Sequence, residues 1–185
     1  MKPFRTAMLC GRFQHIHIGH ERLIQLGLVL ADEILVVIGS AQEKGTAKNP
    51  FSITTRIELI KVIYPEDCVR TMGLADLTNG SYITPAWGQY LFRNILQFCG
   101  YLPDIMIYGN DVPRSLWFAP EDIITISELI VARQKLPVSA TVLRSYLLAD
   151  RKKEWQTITN PKIHGFYQTL RSEILQAEAF NIAKN

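Results

Sequence analysis

Several short apolar runs that stop at a glycine constrain the fold of this chain more than any other feature. Residues 6–10 are followed by Gly11, residues 33–40 read EILVVIGS, and residues 104–111 read DIMIYGND. Continuous apolar runs rich in β-branched side chains are typical of strands that are covered on both faces. Helical segments separate these runs, so the sequence predicts an α/β fold, an open and mostly parallel sheet with helices on both faces. Such sheets bind ligands beyond the carboxyl ends of their strands.

The remaining elements complete that alternating pattern. Helices are predicted at residues 18–30, 52–64 and 84–98, and further strands at residues 67–72 and 122–126. Each predicted helix has apolar side chains at helical spacing, and a capping serine or an early proline marks the start of the later two.

The end of the chain has its own pattern. The 185 residues suit one domain, with a core to about residue 155 and a C-terminal helical segment at 156–185. This segment carries one apolar stripe, which predicts a helix that docks onto the domain rather than onto another subunit. The stripe consists of Ile163, Phe166, Tyr167, Leu170 and Ile174.

Charge and cysteine content exclude several classes of function. The 20 basic and 17 acidic residues give a formal net charge of +3, which is too small to predict a nucleic-acid partner but is compatible with a small anionic ligand. The first apolar run is too short for a signal peptide, and no run approaches the roughly 20 residues of a membrane span, so we expect a cytoplasmic protein. Three scattered cysteines predict neither a disulfide framework nor a thiolate zinc site.

The stretch CGRFQHIHIGH, residues 10–20, gathers three histidines and Arg12 directly after the first predicted strand. His17 and His20 are three residues apart, so both lie around the first turn of a helix that begins near Ile18. Free backbone N–H groups and the positive end of the helix dipole attract anions at such a terminus. The pattern therefore favours a phosphate site without a protein-bound metal.

Two other interpretations of the histidines, and a P-loop at residues 39–46, fit less well. A His-x-His metal site of the barrel amidohydrolases needs roughly 250 residues and more distant ligands. The histidine-triad pattern places histidines at alternate positions, whereas Gly19 occupies the third position here. A P-loop requires a lysine–serine pair, which does not follow Gly45.

A second phosphate-binding segment is predicted in PVSATVLRSYLL, residues 137–148. Ser139 stands where a helix should begin, Thr141 lies in its first turn, and Arg144 follows one turn later. Hydroxyls, open N–H groups and a guanidinium suit the oxygens of a polyphosphate.

These two segments carry a family resemblance. GRFQHIHIGH resembles the G-R-F-Q-P-x-H-x-G-H signature of the HIGH-type nucleotidyltransferase superfamily, and VSATVLR is similar to its second motif, I-S-x-T-x-I-R. Between them, IGSAQ, KNPFSITTR and YGND resemble segments of the nicotinamide mononucleotide (NMN) adenylyltransferases of the archaeal type and their bacterial relatives. The resemblance spans about residues 4–155. It implies a Rossmann-like domain that joins ATP to NMN, giving NAD and pyrophosphate, with Mg²⁺ carried by the substrate.

The resemblance also implies roles for individual residues. The catalytic group would be Arg12, His17, His20 and Arg144. The ATP-binding group would be Gly11, Phe13, Gln14, Gly19, Gly39, Ser40, Ser139 and Thr141. The mononucleotide would be bound by Lys48, Asn49, Trp87 and Asn110, with the Trp87 ring stacked on nicotinamide.

Two positions depart from the family pattern. His15 replaces the usual proline, which is expected to leave the turn less rigid, and Thr55 replaces a glutamate before Arg56. Some bacterial relatives continue into a Nudix hydrolase domain, whereas this sequence ends at Asn185, so a single activity is expected.

The implied reaction is an in-line attack of the mononucleotide phosphate on the α-phosphorus of ATP, without a covalent enzyme intermediate or a protein metal ligand. Two alternatives stay open. One is an adenylyltransferase for another phosphorylated acceptor, such as phosphopantetheine or FMN, and the other is a non-catalytic nucleotide-sensing module. The sequence distinguishes neither NMN from nicotinate mononucleotide nor a monomer from a homo-oligomer.

Overall fold

The computed structural model describes residues 1–77, 84–110, 116–132 and 138–182. Its strands are β1 (Phe4–Gly11), β2 (Ala31–Ile38), β3 (Val69–Gly73), β4 (Ile105–Gly109) and β5 (Ser127–Val131). Its α-helices are α1 (Ile18–Leu30), α2 (Ile53–Ile63), α3 (Pro85–Cys99), α4 (Pro120–Ile123), α5 (Ala140–Leu148), α6 (Lys152–Thr157) and α7 (Tyr167–Ile182). A 3₁₀ helix, Pro161–Phe166, leads directly into α7.

In the described part of the chain, the five strands form one parallel sheet in the order β3-β2-β1-β4-β5. The central strand β1 pairs with β2, where Gly11 is opposite Ile38, and with β4, where Met8 is opposite Met106. The chain runs from β1 outward to β3 and then crosses to β4 on the other side. A crevice is expected beyond the carboxyl ends of β1 and β4, because the strand order reverses between them.

The sheet separates two apolar layers, because successive side chains of a strand point to opposite faces. Ala7 and Leu9 of β1 pack with α1, α2, α5 and the C-terminal helices, whereas Met8 between them packs with α3. α1 lies close to the sheet, since a Cβ atom at Gly27 would be 2.6 Å from Cδ1 of Ile34. The prediction of helices on both faces is therefore confirmed.

Most predicted elements are confirmed, but the strand predicted at residues 122–126 is wrong. Residues 120–123 form the short helix α4, and the strand β5 follows at residues 127–131. Pro120 at the first helical position, followed by two acidic residues, favours the start of a helix. The apolar run that resembled a strand therefore leads into the edge strand instead of forming it.

The predicted C-terminal stripe packs onto the sheet layer that carries α1 and α2. Its members Ile163, Tyr167, Leu170 and Ile174 are buried in that layer, and Phe166 packs against it half-buried. Trp155 of α6 is also fully buried there. Asn185, with which the predicted segment ends, lies outside the described residues.

His15 is part of this core, so the expectation of a loosened turn is wrong. Its side chain is 0% exposed, its Nδ1 lies 2.6 Å from the Ile16 carbonyl oxygen, and its Nε2 lies 3.0 Å from Nε1 of Trp155. The indole can only donate, so His15 Nε2 accepts and its Nδ1 carries the proton. The backbone angle φ of His15 is 147°, which proline cannot adopt because its ring holds φ near −65°.

We expect the stability of the fold to depend on pH through His15. Burial lowers the pKa of His15 from 6.5 to about 3, so the folded protein keeps the ring neutral while the unfolded chain protonates it below pH 6.5. The contribution of His15 to the free energy of unfolding is thus complete above 6.5, its pKa in the unfolded chain, and declines as the pH falls below that value. Between pH 7 and pH 5 the free energy of unfolding, measured by urea titration, should fall by about 2 kcal/mol through His15.

The matched control is His15→Gln, which keeps a polar side chain but cannot titrate. Over the same pH interval, the free energy of unfolding of this variant should fall by about 2 kcal/mol less than that of the wild type. Equal losses in the two proteins would mean that the folded protein protonates His15 and would contradict the prediction.

Candidate active site

The turn after β1 is built from buried residues around one exposed arginine. Arg12 is exposed, whereas residues 13–17 are buried. The Gln14 side chain donates from Nε2 to the Phe51 carbonyl at 3.3 Å, and its Oε1 accepts from the Phe51 backbone amide at 3.0 Å. Gln14, expected at ATP, therefore holds the turn against the loop before α2. Phe13 packs beneath Gly11 and against the ring of His20, with ring centroids 4.6 Å apart.

His17 caps α1 with its imidazole, and this contact determines its tautomer. Its Nδ1 accepts from the His20 amide at 3.2 Å, so the proton of the neutral ring is on Nε2. The His17 and His20 rings stack with centroids 3.8 Å apart and an interplanar angle of 17°. The two predicted histidines are therefore brought together, and His17 presents an N–H donor of the kind that phosphate oxygens accept.

At the start of α1, the backbone amide of the buried Gly19 has no acceptor among the described residues. The Ile18 amide donates to the Ile158 carbonyl at 3.3 Å, and the Glu21 amide donates to the His17 carbonyl at 3.1 Å. The His20 amide is taken by the His17 ring. The Gly19 amide lies at the positive end of the helix, where anions bind.

The turn after β2 is joined to the turn after β1. The Gly39 amide donates to the Gly11 carbonyl at 2.9 Å, and the amide of the buried Ser40 donates to Asp76 Oδ1 at 3.2 Å. Ser40 has φ 50°, a left-handed conformation that non-glycine residues adopt at a cost of about 1–3 kcal/mol. Predicted ATP-binding residues that end or follow the neighbouring strands β1 and β2 thus meet at the carboxyl ends of these strands.

Arg56 is a site residue to which sequence reasoning gave no role. The residue is 1% exposed, and its guanidinium donates to the carbonyls of Arg12 at 2.8 Å, Gly39 at 2.8 Å and Ser40 at 3.0 Å. Burial and, to a smaller extent, the charge of Arg12 lower its pKa to about 10 against the opposing effect of Asp76, so Arg56 stays cationic near neutral pH. The sequence signal is a charged residue on an apolar helix face, which it shares with Leu59, Ile60 and Ile63.

The second predicted phosphate segment forms the start of α5. Ser139 caps the helix by accepting from the Val142 amide at 3.4 Å, and the exposed Thr141 accepts from Arg144 at 3.3 Å. Burial lowers the pKa of Arg144, and repulsion from Arg12 lowers it further. Arg12 is therefore close enough to Arg144 for their charges to repel, while the Glu178 carboxylate acts on Arg144 in the opposite direction. Pro137, where the predicted segment begins, lies outside the described residues.

The residues predicted for the mononucleotide lie on two elements. Lys48 is exposed and Asn49 is 5% exposed in the loop before α2, where Asn49 Oδ1 has no hydrogen-bond partner among the described residues. Trp87 lies in the first turn of α3, and Asn110 is exposed just after β4. The backbone N–H of Asn110 donates to the Val131 carbonyl at 3.2 Å. Its neighbour Asp111 lies outside the described residues.

Trp117 is the second site residue that sequence reasoning missed. Its ring meets that of Trp87 edge to face, with centroids 4.5 Å apart and an interplanar angle of 67°. The backbone approaches α3 so closely that a Cβ atom at Gly88 would be 2.1 Å from the Trp117 carbonyl oxygen. Trp117 also lines a small apolar pocket with Met8, Cys10, Leu91, Tyr108 and Phe118. The glycine after Trp87 is the sequence signal for this close contact.

The site has the chemical character of an anion cradle. Arg12, Arg144, the His17 ring and the Gly19 amide supply cations and N–H donors at one sheet edge. Across the described residues, no three His, Cys, Asp or Glu side chains are placed to hold a metal ion. The helices in that part of the chain are also too short or too polar to cross a membrane.

Known proteins share both sequence and fold with this chain. Residues 8–166 match the family model described as cytidylyltransferase-like. The nicotinamide-nucleotide adenylyltransferase of Pyrococcus horikoshii is 40% identical over 172 residues, which cover 89% of this chain and 83% of that one. The nicotinamide-nucleotide adenylyltransferase of Aeropyrum pernix is 27% identical over 168 residues, which cover 90% and 92%.

Solved structures extend the likeness at lower identity. A bifunctional NMN adenylyltransferase/ADP ribose pyrophosphatase from Francisella tularensis has a TM-score of 0.68 at 18% identity, covering 97% of this chain and 55% of that one. A putative nicotinate-nucleotide adenylyltransferase from Vibrio parahaemolyticus has a TM-score of 0.64 at 18% identity, covering 91% and 99%. The expected Rossmann-like fold is confirmed. On the match over residues 8–166 and the 40% identity to a relative, the chain belongs to the cytidylyltransferase-like family of HIGH-type nucleotidyltransferases.

Proposed function

We propose that this protein transfers AMP from ATP to NMN or nicotinate mononucleotide, which gives NAD or its deamido form and pyrophosphate. The observation that carries the proposal is the start of α1, where His17 uses Nδ1 as the helix cap and therefore holds its proton on Nε2. Relatives from Pyrococcus horikoshii and Aeropyrum pernix carry the name of this activity.

The reaction joins two anions, so the main task of the protein is to hold them together against their repulsion. Arg12, Arg144, His17 Nε2–H and the Gly19 amide are donors for the ATP phosphates, and His20 stacks on His17 to hold its ring. Positioning supplies up to roughly 7–11 kcal/mol of barrier lowering, and the loss of one preorganised donor costs about 3–4 kcal/mol. The attacking phosphate oxygen is already ionised, so the reaction needs neither a general base nor a covalent intermediate.

Mg²⁺ enters this proposal as part of the substrate, bound to ATP. The side chains assigned to the phosphates are those of Arg12, Arg144 and His17, whereas Mg²⁺ prefers oxygen ligands and keeps several of its waters. This donor set fits a magnesium ion that is carried by phosphate oxygens and water.

The acceptor mononucleotide is assigned to the side of the crevice next to α3. The edge-to-face pair of Trp87 and Trp117 offers aromatic surface for the nicotinamide ring. Lys48 is suited to the acceptor phosphate, and the buried Asn49 Oδ1 and the Asn110 side chain are suited to its hydroxyl and amide groups. Acceptor choice would therefore depend on a surface separate from the ATP-binding turn.

The first test is the choice of acceptor. With MgATP, the protein should release pyrophosphate in the presence of NMN or nicotinate mononucleotide and should form the corresponding dinucleotide. Phosphopantetheine and FMN should give no product above the level without acceptor. If the protein used only phosphopantetheine or only FMN, that compound would be the acceptor instead of a nicotinamide or nicotinate mononucleotide. If the protein bound ATP but turned over none of the acceptors, the nucleotide-sensing alternative would be favoured.

The second test separates the two roles of His17. His17→Asn keeps a good helix cap but removes the Nε2 donor, so kcat should fall by about 100-fold with the melting temperature nearly unchanged. His17→Ala removes both, so it should show a similar loss of kcat and an additional loss of about 1 kcal/mol of stability. An Asn variant with wild-type turnover would remove His17 from the phosphate site.

The third test concerns the aromatic pair. Trp87→Ala should raise KM for the mononucleotide by up to about tenfold, while KM for ATP stays the same, because aromatic contacts are worth about 0.5–1.5 kcal/mol. Trp87→Phe is the matched control and should recover most of the affinity because it keeps a ring. If the Ala variant lowers only the melting temperature, Trp87 is a core residue and not a ligand.

A further inference from the structure

Three hydrogen bonds connect residues 155–160, which we call the brace, to the turn and first helical residues that carry His17 and His20. Trp155 Nε1 donates to His15 Nε2 at 3.0 Å, and the Ile18 amide donates to the Ile158 carbonyl at 3.3 Å. Asn160 Nδ2 donates to Glu21 Oε2 at 2.7 Å. The bonded positions 15, 18 and 21 bracket both histidines, so the brace fixes the turn on either side of them.

The bond between His15 and Trp155 has no access to water. Both side chains are 0% exposed, and the edge of the His15 ring also meets Phe51 at a centroid distance of 5.8 Å. Burial lowers the pKa of His15 to about 3, so its Nε2 lone pair stays available to the indole near neutral pH. A buried polar group that loses its partner is costly, so the turn is held in the position that lets His15 reach Trp155.

Glu21 depends on the brace in a similar way. It is 7% exposed, and its Oε1 is buried without a hydrogen-bond partner among the described residues, so the Asn160 amide is the side-chain donor recorded for its carboxylate. The Ile158 carbonyl occupies the first amide of α1, which leaves the Gly19 amide as the open donor described above. The brace therefore determines which backbone group of the helix start is available to a ligand.

The brace is itself fixed by the C-terminal helices. The Trp155 ring packs against Tyr167 at a centroid distance of 5.2 Å and against His164 at 5.6 Å. Thr159 Oγ1 donates to the Trp155 carbonyl at 2.8 Å. These contacts hold the brace rigid without involving any of the residues assigned to substrate.

We propose that Trp155, acting through His15, is a positioning residue for the ATP-phosphate turn, and that Asn160, acting through Glu21, supports it from the other side of the histidines. The inference rests on the proposed function, because it assigns the turn to the ATP phosphates. Trp87 lies on α3 and Asn110 follows β4, and neither makes a hydrogen bond to the brace within the described residues. Lys48 and Asn49 lie in the loop before α2, which meets the turn through Phe51. Loss of the brace should therefore affect ATP more strongly than the mononucleotide.

The test is Trp155→Phe, which keeps an aromatic ring but removes the indole N–H. KM for ATP and the calorimetric Kd for MgATP should each rise by about tenfold, while KM for NMN should stay within about twofold. The double variant His15→Leu/Trp155→Phe should cost no more than the worse single variant, because both changes remove the same bond. Asn160→Ala, at a half-buried position, should shift the same two ATP quantities in the same direction.

Tyr167→Phe is the matched control. It removes a hydrogen bond to Asp150 from a ring that packs on Trp155, without touching the turn. It should lower the melting temperature and leave both ATP quantities unchanged. Trp155→Phe and Asn160→Ala variants that behave like this control would overturn the proposal.

The binding measurement separates this inference from the proposed function. A wild-type protein that binds MgATP but joins it to no mononucleotide would overturn the proposed function alone, and the shift in Kd would still decide whether Trp155 positions the turn. A wild-type protein that binds no MgATP would overturn both.

Discussion

The geometry of the site depends on one buried cation whose hydrogen bonds end on neutral carbonyl oxygens. The Arg56 guanidinium donates to the carbonyls of Arg12, Gly39 and Ser40, which follow the strands β1 and β2. One side chain therefore sets the spacing of two turns that come from neighbouring strands. Carbonyl oxygens leave the guanidinium charged, and the Asp76 carboxylate, which accepts from the Ser40 amide, favours that charge from nearby.

This arrangement makes the site attractive to anions before any ligand arrives. Burial lowers the pKa of both Arg56 and Arg144 and the charge of Arg12 lowers each further, while Asp76 acts in the opposite direction on Arg56 and Glu178 on Arg144. Clustered like charges destabilise the folded protein by repulsion, and a bound polyphosphate would relieve that repulsion. The left-handed backbone at Ser40 adds a second local cost at the same edge. The site thus keeps unfavourable interactions where ligand binding can offset them.

The local features of the site could be predicted from the sequence, whereas its long-range contacts could not. α1 begins at Ile18 and Ser139 begins α5 as expected, because the start of a helix is decided by a few neighbouring residues. The bond between His15 and Trp155 joins positions 140 residues apart, and no local pattern encodes such a partner. Trp117 was missed for the same reason, since its place beside α3 follows from the close packing of the helix and not from its own neighbours in sequence.

Both departures from the family pattern find their partners in the C-terminal segment. Where the family has proline, His15 is bonded to Trp155 of α6. Where the family has glutamate, the Thr55 hydroxyl donates to the Glu173 carboxylate of α7 at 3.0 Å, so the carboxylate at this place comes from another helix. A glutamate at position 55 would face Glu173 with like charge, which is destabilising. Helices after residue 150 therefore support both the turn after β1 and the first turn of α2, and these helices belong to the scaffold of the site.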